Sequence, residues 1–349
     1  MPITAKLRKI LVINLGGMGD LLLSSPALKS LRSAYPEAEL SFLVSSKAAE
    51  AARRLKLAYR VFIFYPQSFW WIIFRGIFLL WSLRKEGFDL AVNMRTIASS
   101  LSALKMRLLL DLINAKITAG RDTLGRAGFL DIKISESEYG DKYERDYDLA
   151  LIEALGVKAG DNRVEFSVTA FEQDKVASML NQGGFKKDEV LVGIHPGGQQ
   201  SPRWPLKYYQ GLLRSLSSLP GIKFVITGNA KEAGLGAYLA ASFPANTINL
   251  SGALSLGELA ALIKRCALYI CNDTGSLHLA ATQNVPILCV FGGGSLTRFD
   301  PRKLCAFSCV LRKPVNCAPC NRTFCLSKKC LRLITVEEAA IQARRILKQ

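Results

Sequence analysis

The residues best suited to chemistry lie where apolar runs give way to short polar turns. From Leu268 to Ala281 an apolar run closes on Asn272, Asp273, Thr274 and Gly275, and a helix-like stretch with Ser276 and His278 follows. Such a run reads as a buried strand ending at a tight turn. The first amides of the next helix lack intrahelical acceptors, and the helix dipole favours negative charge, so this end suits a phosphate. His278 lies one helical turn beyond Thr274, so both can face one ligand. A second turn, His195, Pro196, Gly197 and Gly198, leads to Arg203, Trp204 and Pro205. Its glycines let backbone approach a ligand closely, Arg203 suits a phosphate, and Pro205 fits a first helical position. A third strand end carries Gly228 and, four residues on, Glu232, a carboxylate able to hold ribose hydroxyls. Taken singly, Arg203 also reads as a solvated loop residue and Glu232 as an ordinary first-turn acid.

The N-terminal loop runs Gly16, Gly17, Met18, Gly19, Asp20. It fits the dinucleotide fingerprint poorly, because Leu22 stands where a third glycine belongs. Val44, Ser45 and Ser46 offer no ribose acid at the second strand end, so a nicotinamide oxidoreductase is disfavoured. The loop does place the Asp20 carboxylate at a helix start, as a base beside a bound hydroxyl or as a helix cap.

The 349 residues are half hydrophobic, and 46 lysines and arginines against 28 acids give a formal charge of +18. That excess calls for an anionic partner: nucleic acid, an acidic membrane surface or a phosphorylated substrate. The first fifteen residues imitate a signal peptide, yet the apolar run is short and Gly16–Asp20 replaces a cleavage site. A first strand and a cytoplasmic protein are expected. Val61 to Trp81 is strongly apolar, but Pro66, Gln67 and Arg75 interrupt it. It is expected to give a strand and an amphipathic helix rather than a bilayer span.

Six of the nine cysteines, Cys305, Cys309, Cys317, Cys320, Cys325 and Cys330, fall in one segment. Cys317 and Cys320 have a metal-knuckle spacing, and Cys325 and Cys330 would complete a tetrahedral structural zinc site. A redox pair, an iron–sulfur site or thiols that merely pack are the alternatives. Cys266, Cys271 and Cys289 read as small core residues, which suits a reducing compartment.

Strand-like and helix-like runs alternate through both halves: Lys9–Leu15, Leu21–Ser33, Leu40–Val44, Arg60–Phe64, Phe69–Arg84, Phe88–Asn93 and Thr96–Leu112 in the first. Val190–His195, Leu206–Leu216, Ile222–Thr227, Lys231–Ser242 and Leu256–Arg265 continue the pattern in the second, and Val336–Leu347 reads as a terminal helix. Alternation of this kind means parallel sheets with helical crossovers, an α/β fold of two Rossmann-like domains with ligands at the strand ends. The expected division is residues 1–165, a connector 166–188, a second domain 189–334 with the cysteine-rich segment 305–330, and a terminal helix 335–349.

Together, Gly17–Asp20, His195–Gly197 leading to Arg203 and Trp204, Gly228 with Glu232, and Asn272–Gly275 with His278 resemble glycosyltransferase family 9, the ADP-heptose:lipopolysaccharide heptosyltransferases. The pattern from Cys317 to Cys330 is also common among members. The resemblance implies a GT-B fold whose two Rossmann-like domains face each other across a cleft. The first domain would hold the acceptor and the second the nucleotide sugar, with inversion at the anomeric carbon and no cofactor needed for catalysis. Asp20 matches the family's base, Arg203 the diphosphate contact, Thr274 and Gly275 the phosphate-binding helix start, and Glu232 the ribose acid. His195, Gly197, Gly198, Gly228, Asp273 and His278 complete the implied donor site. Gly17, Met18 and Gly19, with Arg121 and Arg126, are the acceptor candidates. One departure is Pro202, where many members carry a second basic residue. The implied partners are ADP-heptose and an anionic, lipid-linked acceptor of the Kdo-lipid A type, met at the cytoplasmic face of the inner membrane. Contact there would involve the helix carrying Trp70 and Trp71. Nucleic acid is not among the implied partners. The rival readings are a non-catalytic nucleotide-sugar-binding protein and a zinc-containing nucleic-acid-binding protein.

Overall fold

The computed structural model describes residues 7–65, 69–186, 189–198, 203–320, 322 and 325–348. The chain divides into two compact units, Met1–Val164 and Glu165–Gln349. Twelve strands form among the described residues: β1 (Lys9–Asn14), β2 (Glu39–Ser45), β3 (Arg60–Phe64), β4 (Leu90–Asn93), β5 (Ile117–Thr123), β6 (Ile132–Glu136), β7 (Val190–His195), β8 (Ile222–Ile226), β9 (Thr247–Asn249), β10 (Leu268–Asn272), β11 (Ile287–Val290) and β12 (Ser308–Leu311). The first sheet has the order β3-β2-β1-β4-β5-β6, and the second reads β9-β8-β7-β10-β11-β12. Every pairing in both is parallel.

Each sheet therefore repeats the order 3-2-1-4-5-6, with a switch point where the first strand meets the fourth. There the chain leaves one strand toward one edge and the other strand toward the opposite edge, so the two carboxyl ends open a crevice. β1 pairs with β4 up to Ile13 opposite Asn93, and β7 with β10 up to His195 opposite Cys271. The loops after these four strands carry Gly16–Asp20, Arg95, Gly197–Gly198 and Asp273–Gly275. The motif residues are thus set at the two positions where this topology admits ligands.

Central strands are buried on both faces, which is why β1, β4 and β10 read as nearly unbroken apolar runs. In the first unit Leu11, Ile13, Leu43, Phe88 and Ala91 form a core with Leu83, Leu110 and Ile113 from two helices. In the second, Val192, Ile194, Ile226 and Leu268 pack under Trp204, Tyr209, Leu212 and Leu331. The Trp204 indole N–H donates to the Ile334 carbonyl at 3.0 Å, and its ring meets Tyr209 edge-on at 4.9 Å. Trp204 thereby anchors the stretch that presents Arg203.

The structure departs from the sequence reading at several elements. The helix expected from Thr96 begins at Ser100, because Ser99 caps it and accepts the Ser102 N–H. Residues 95–98 become a loop instead, and Arg95 is on it. Residues 120–123, which include the acceptor candidate Arg121, lie in strand β5. β6, β9 and β12 are edge strands of five, three and four residues, and the sequence reading did not separate them from loops. No strand forms between the helices Glu144–Ala154 and Ala170–Gln182.

Candidate active site

In the first unit, helix Met18–Ala34 starts after Gly17, and Asp20 stands at its third position rather than as the cap residue itself. Asp20 Oδ2 accepts the Gly17 N–H at 2.7 Å. Its Oδ1 accepts from Arg95, whose guanidinium arrives from the loop after β4. A Cβ added at Gly16 would lie 2.5 Å from Asp20 Oδ2, so glycine there lets the carboxylate fold back over the loop. Asp20 keeps 14% of its side chain exposed, and Gly17, Met18 and Gly19 surround it on the helix start.

Below Asp20 lies a buried ionic network that the sequence reading missed. Arg95 Nη1 is 3.3 Å from Glu144 Oε1, and Glu144 also pairs with Arg121 at 3.0 Å. Arg121 further reaches Glu136 at 3.2 Å and Asp148. Burial opposes the Arg121 charge, but Glu144, Asp148 and Glu136 outweigh it and hold the guanidinium protonated. Burial and the adjacent Glu144, opposed by Arg121, raise the Asp148 carboxyl to about 6. Arg121 was expected to meet the acceptor. It is fully buried with three carboxylates around it, so its place is beneath the site and not in contact with a ligand. Arg126 is partly exposed, 3.4 Å from the Ile97 and Ala98 carbonyls and 3.9 Å from Glu138.

In the second unit, Glu232 organises the loop after β7. Its Oε1 accepts the Gly198 N–H at 2.8 Å and lies 3.3 Å from Arg203 Nη2, while Oε2 accepts the Asn229 N–H at 3.0 Å. Arg203 Nε donates to the Gly198 carbonyl at 2.9 Å. A side chain at Gly197 would run into the Glu232 carboxylate, and Gly198 adopts φ +148°, so both glycines are required. Gly228 supports the arrangement from below, its α-carbon facing Glu232 and Ser251. Asn272 ties the two switch-point loops together, donating to the Pro196 and Gly197 carbonyls at 3.2 and 2.9 Å and accepting the Trp204 N–H.

His195 is buried, with Nδ1 3.2 Å from Thr227 Oγ1 and Nε2 4.0 Å from Glu232. Burial lowers its pKa, with Arg203 adding to that and Glu232 opposing it, so the ring is neutral near pH 7. Thr274 precedes helix Gly275–Thr282 without capping it; its hydroxyl lies 2.8 Å from Ser276 Oγ instead. The Leu277 N–H donates to the Thr274 carbonyl, and the Gly275 and Ser276 amides precede the first intrahelical acceptor. Asp273 lies against Gly294, where a Cβ would strike its carboxylate. His278 is buried beside Phe299, with ring centroids 5.9 Å apart.

The cysteine segment does not form the zinc site considered from its spacing. Among the described residues, no group of three or more His, Cys, Asp or Glu side chains could hold a metal ion. Cys330 is buried in the apolar core of the second unit, Cys317 is exposed, and Cys325 meets Ser327 and the Lys328 amide at 3.5 and 3.4 Å. All nine cysteines are free thiols. The departure at Pro202 and the side chains of Trp70 and Trp71 lie outside the described residues. No helix among the described residues is long and apolar enough to cross a membrane.

Two parallel six-stranded sheets in the Rossmann order, flanked by helices and bearing their polar loops at the switch points, define a GT-B-like protein of two Rossmann-type domains. Residues 78–331 match glycosyltransferase family 9 (heptosyltransferase). The chain is 24% identical over 298 residues to lipooligosaccharide heptosyltransferase 2 of Haemophilus influenzae, spanning 81% of this chain and 83% of that one. Its fold is similar to the glycosyl transferase family 9 structure from Veillonella parvula, with TM-score 0.75, 20% identity and coverage of 98% and 97%. It is also similar to E. coli ADP-heptose LPS heptosyltransferase II, with TM-score 0.72, 22% identity and coverage of 98% and 99%. The match spans most of the chain, and the protein belongs to glycosyltransferase family 9. It is an enzyme, a glycosyltransferase of the heptosyltransferase type.

Proposed function

We propose that the protein transfers a heptose from ADP-heptose to an acidic, lipid-linked acceptor of the lipopolysaccharide inner core, with inversion at the anomeric carbon. The observation that carries the reading is the second switch point. Arg203, Gly198 and Glu232 form one hydrogen-bonded unit there, beside the helix start at Thr274. In this reading Glu232 holds the ribose, while Arg203 and the amides of Gly275 and Ser276 meet the diphosphate. Asp273, with His195 and His278 behind, borders the sugar. The first unit holds the acceptor at Gly17, Met18 and Gly19, with Arg126 as a further anion contact.

The acceptor oxygen attacks the anomeric carbon as the bond to the diphosphate oxygen breaks. Its proton passes to Asp20, and ADP departs with its charge met by Arg203 and the helix start. Preorganised donors of this kind stabilise charge that develops only in the transition state. A phosphorylated lipid acceptor also accounts for the charge of +18 and for work at the cytoplasmic face of the inner membrane. The relatives support the donor, since one is named an ADP-heptose enzyme. Incubation with ADP-heptose and a Kdo-lipid A acceptor, followed by mass spectrometry, tests the reading. A heptosylated product supports it, whereas turnover of another nucleotide sugar alone would overturn the assignment of donor.

A further inference from the structure

Exposed apolar surface on the first unit is concentrated on two helices, Phe69–Glu86 and Ser100–Ile113, which pack against each other. The second exposes Leu101, Leu104, Leu108 and Leu112, spaced by three, four and four residues, which makes one stripe along the helix. The first exposes Ile77, Phe78 and Trp81, with the Phe78 and Trp81 rings 5.8 Å apart. Every one of these seven side chains is about half exposed or more. The same helices send Leu83, Leu110 and Ile113 into the core, so the stripe is a second apolar face and not a misplaced core face. Apolar patches this continuous mark interaction sites.

The rim of the patch identifies the partner. Arg75, Arg84, Lys85, Lys105 and Arg107 are all exposed on these two helices. Against them stand Asp111, 3.8 Å from Arg107, and Glu86, which is engaged by Lys9 and Arg60. Lys85 Nζ sits 3.6 Å from the centre of the Trp81 ring, an ammonium held at the edge of the apolar face. Leucines flanked by an aromatic ring and by cations on flexible stems match a bilayer: acyl chains below, an interfacial ring, and anionic headgroups around the rim. A protein partner would need acids placed to meet each cation, whereas an anionic lipid surface meets them wherever they fall.

We propose that the two helices together form a surface that docks on an anionic phospholipid bilayer, with the Ser100–Ile113 stripe as its principal inserted edge. This deepens the functional reading, which places the acceptor on a lipid, but docking itself requires no acceptor. Full-length protein is floated with phosphatidylethanolamine–phosphatidylglycerol vesicles and, separately, with phosphatidylcholine vesicles. It should rise with the first and not with the second, and salt should weaken the association. Leu104→Glu with Leu108→Glu should lower partitioning by about tenfold or more, since each removes an inserted apolar side chain. Both positions are exposed, so the fold should survive; Lys105→Gln with Arg107→Gln gives an independent reduction should the first pair unfold. Failure of the unaltered protein to float overturns the proposal, as does unchanged flotation of both pairs. Loss of a dimer in light scattering, with no change in lipid binding, assigns the face to a second copy and also overturns it. Transfer to a detergent-dispersed acceptor should be unaffected by these substitutions. If neither dispersed nor vesicle-borne acceptor is ever modified, the functional reading fails while the flotation result stands.

Discussion

Arg95 bridges Asp20 and Glu144, its Nη1 donating to Asp20 Oδ1 and lying 3.3 Å from Glu144 Oε1. The carboxylate proposed as the base is therefore held from both sides, by the Gly17 amide on one oxygen and by Arg95 on the other. Arg95 comes from the loop after β4, the strand adjacent to β1, so the switch point supplies both members of the pair. Its own orientation rests on Glu144, which is fixed in turn by buried Arg121. A chain of ion pairs thus runs from the core to Asp20. Such a chain locks a side chain geometrically, which is where buried ionic networks have their best use.

Asp20→Asn separates the base from the cap. The amide oxygen can still accept the Gly17 N–H, and Arg95 keeps Glu144. Folding should survive with modest destabilisation, and ADP affinity should match the unaltered enzyme. Transfer should fall by roughly 10²–10⁴ because no basic oxygen remains. Calorimetry with ADP and product analysis check the two halves; normal turnover would leave Asp20 as a helix cap and an anchor for Arg95.

Gly16→Ala reaches the same carboxylate by sterics. Its Cβ would stand 2.5 Å from Asp20 Oδ2, so Asp20 must swing away from the Gly17 amide. The expected result is a fall in kcat of up to about 10²-fold, the cost of misplacing a reacting group by an ångström. ADP affinity should not change, because the contact lies wholly in the first unit. An unchanged kcat would show that the Asp20 orientation seen here is not the one used in transfer.

The sequence makes plain those features that rest on local pattern. β3, β7 and the helices Leu206–Leu216, Leu256–Arg265 and Val336–Leu347 follow from unbroken apolar runs or from apolar residues spaced at helical intervals. Glycine loops after strands disclosed the second switch point, because Gly197, Gly198 and Gly228 are needed wherever Glu232 packs. Arg95 was not legible: it follows β4 without a glycine motif, and only the pairing of β1 with β4 brings it to Asp20. Knowing the strand order would have pointed to it. Arg121 was misjudged for a related reason, since an arginine between glycines looks like a loop residue. Its burial depends on Glu136, Glu144 and Asp148, contributed from 15 to 27 residues away along the chain. The cysteine spacing was the weakest signal, because spacing alone does not say which thiols turn into the core, as Cys330 does.

Arg203→Ala tests the donor site. Arg203 holds the Gly198 carbonyl and approaches Glu232, with more than a third of its side chain exposed. Removing a charge-assisted contact to a diphosphate should weaken ADP binding by about 1.5–3 kcal/mol. The loop also loses a tie, so affinity for a nucleoside lacking phosphates should fall much less. Isothermal titration with ADP and adenosine makes the comparison, and equal affinity for ADP in the variant would remove Arg203 from the site.

Asp148 predicts the pH dependence of stability. Its Oδ2 lies 2.6 Å from Ser24 Oγ, which is also 2.9 Å from the Asp20 carbonyl and 3.0 Å from Asn14 Nδ2. Ser24 has a single hydroxyl proton and cannot donate to both oxygens. A proton on Asp148 resolves this: Asp148 donates to Ser24, and Ser24 donates to the Asp20 carbonyl. That arrangement agrees with a carboxyl raised to about 6 by burial and by Glu144. An unfolded aspartate titrates near 3.9, so between about 3.9 and 6 the folded chain keeps a proton that the unfolded chain has lost. The stability this contributes is complete below the lower value and is lost as pH rises through the upper one. His195, whose pKa is lowered, acts in the opposite sense, its contribution falling away as pH drops below about 6.5. Comparing Asp148→Asn with the unaltered protein cancels His195 and isolates the aspartate. The amide offers the same donor to Ser24 and the same acceptor to Arg121 at every pH. From pH 4 to pH 7 the variant should therefore gain on the unaltered protein by on the order of 2–3 kcal/mol. Urea denaturation at a series of pH values measures the difference; a gap that stays constant would mean that Asp148 is ionised throughout.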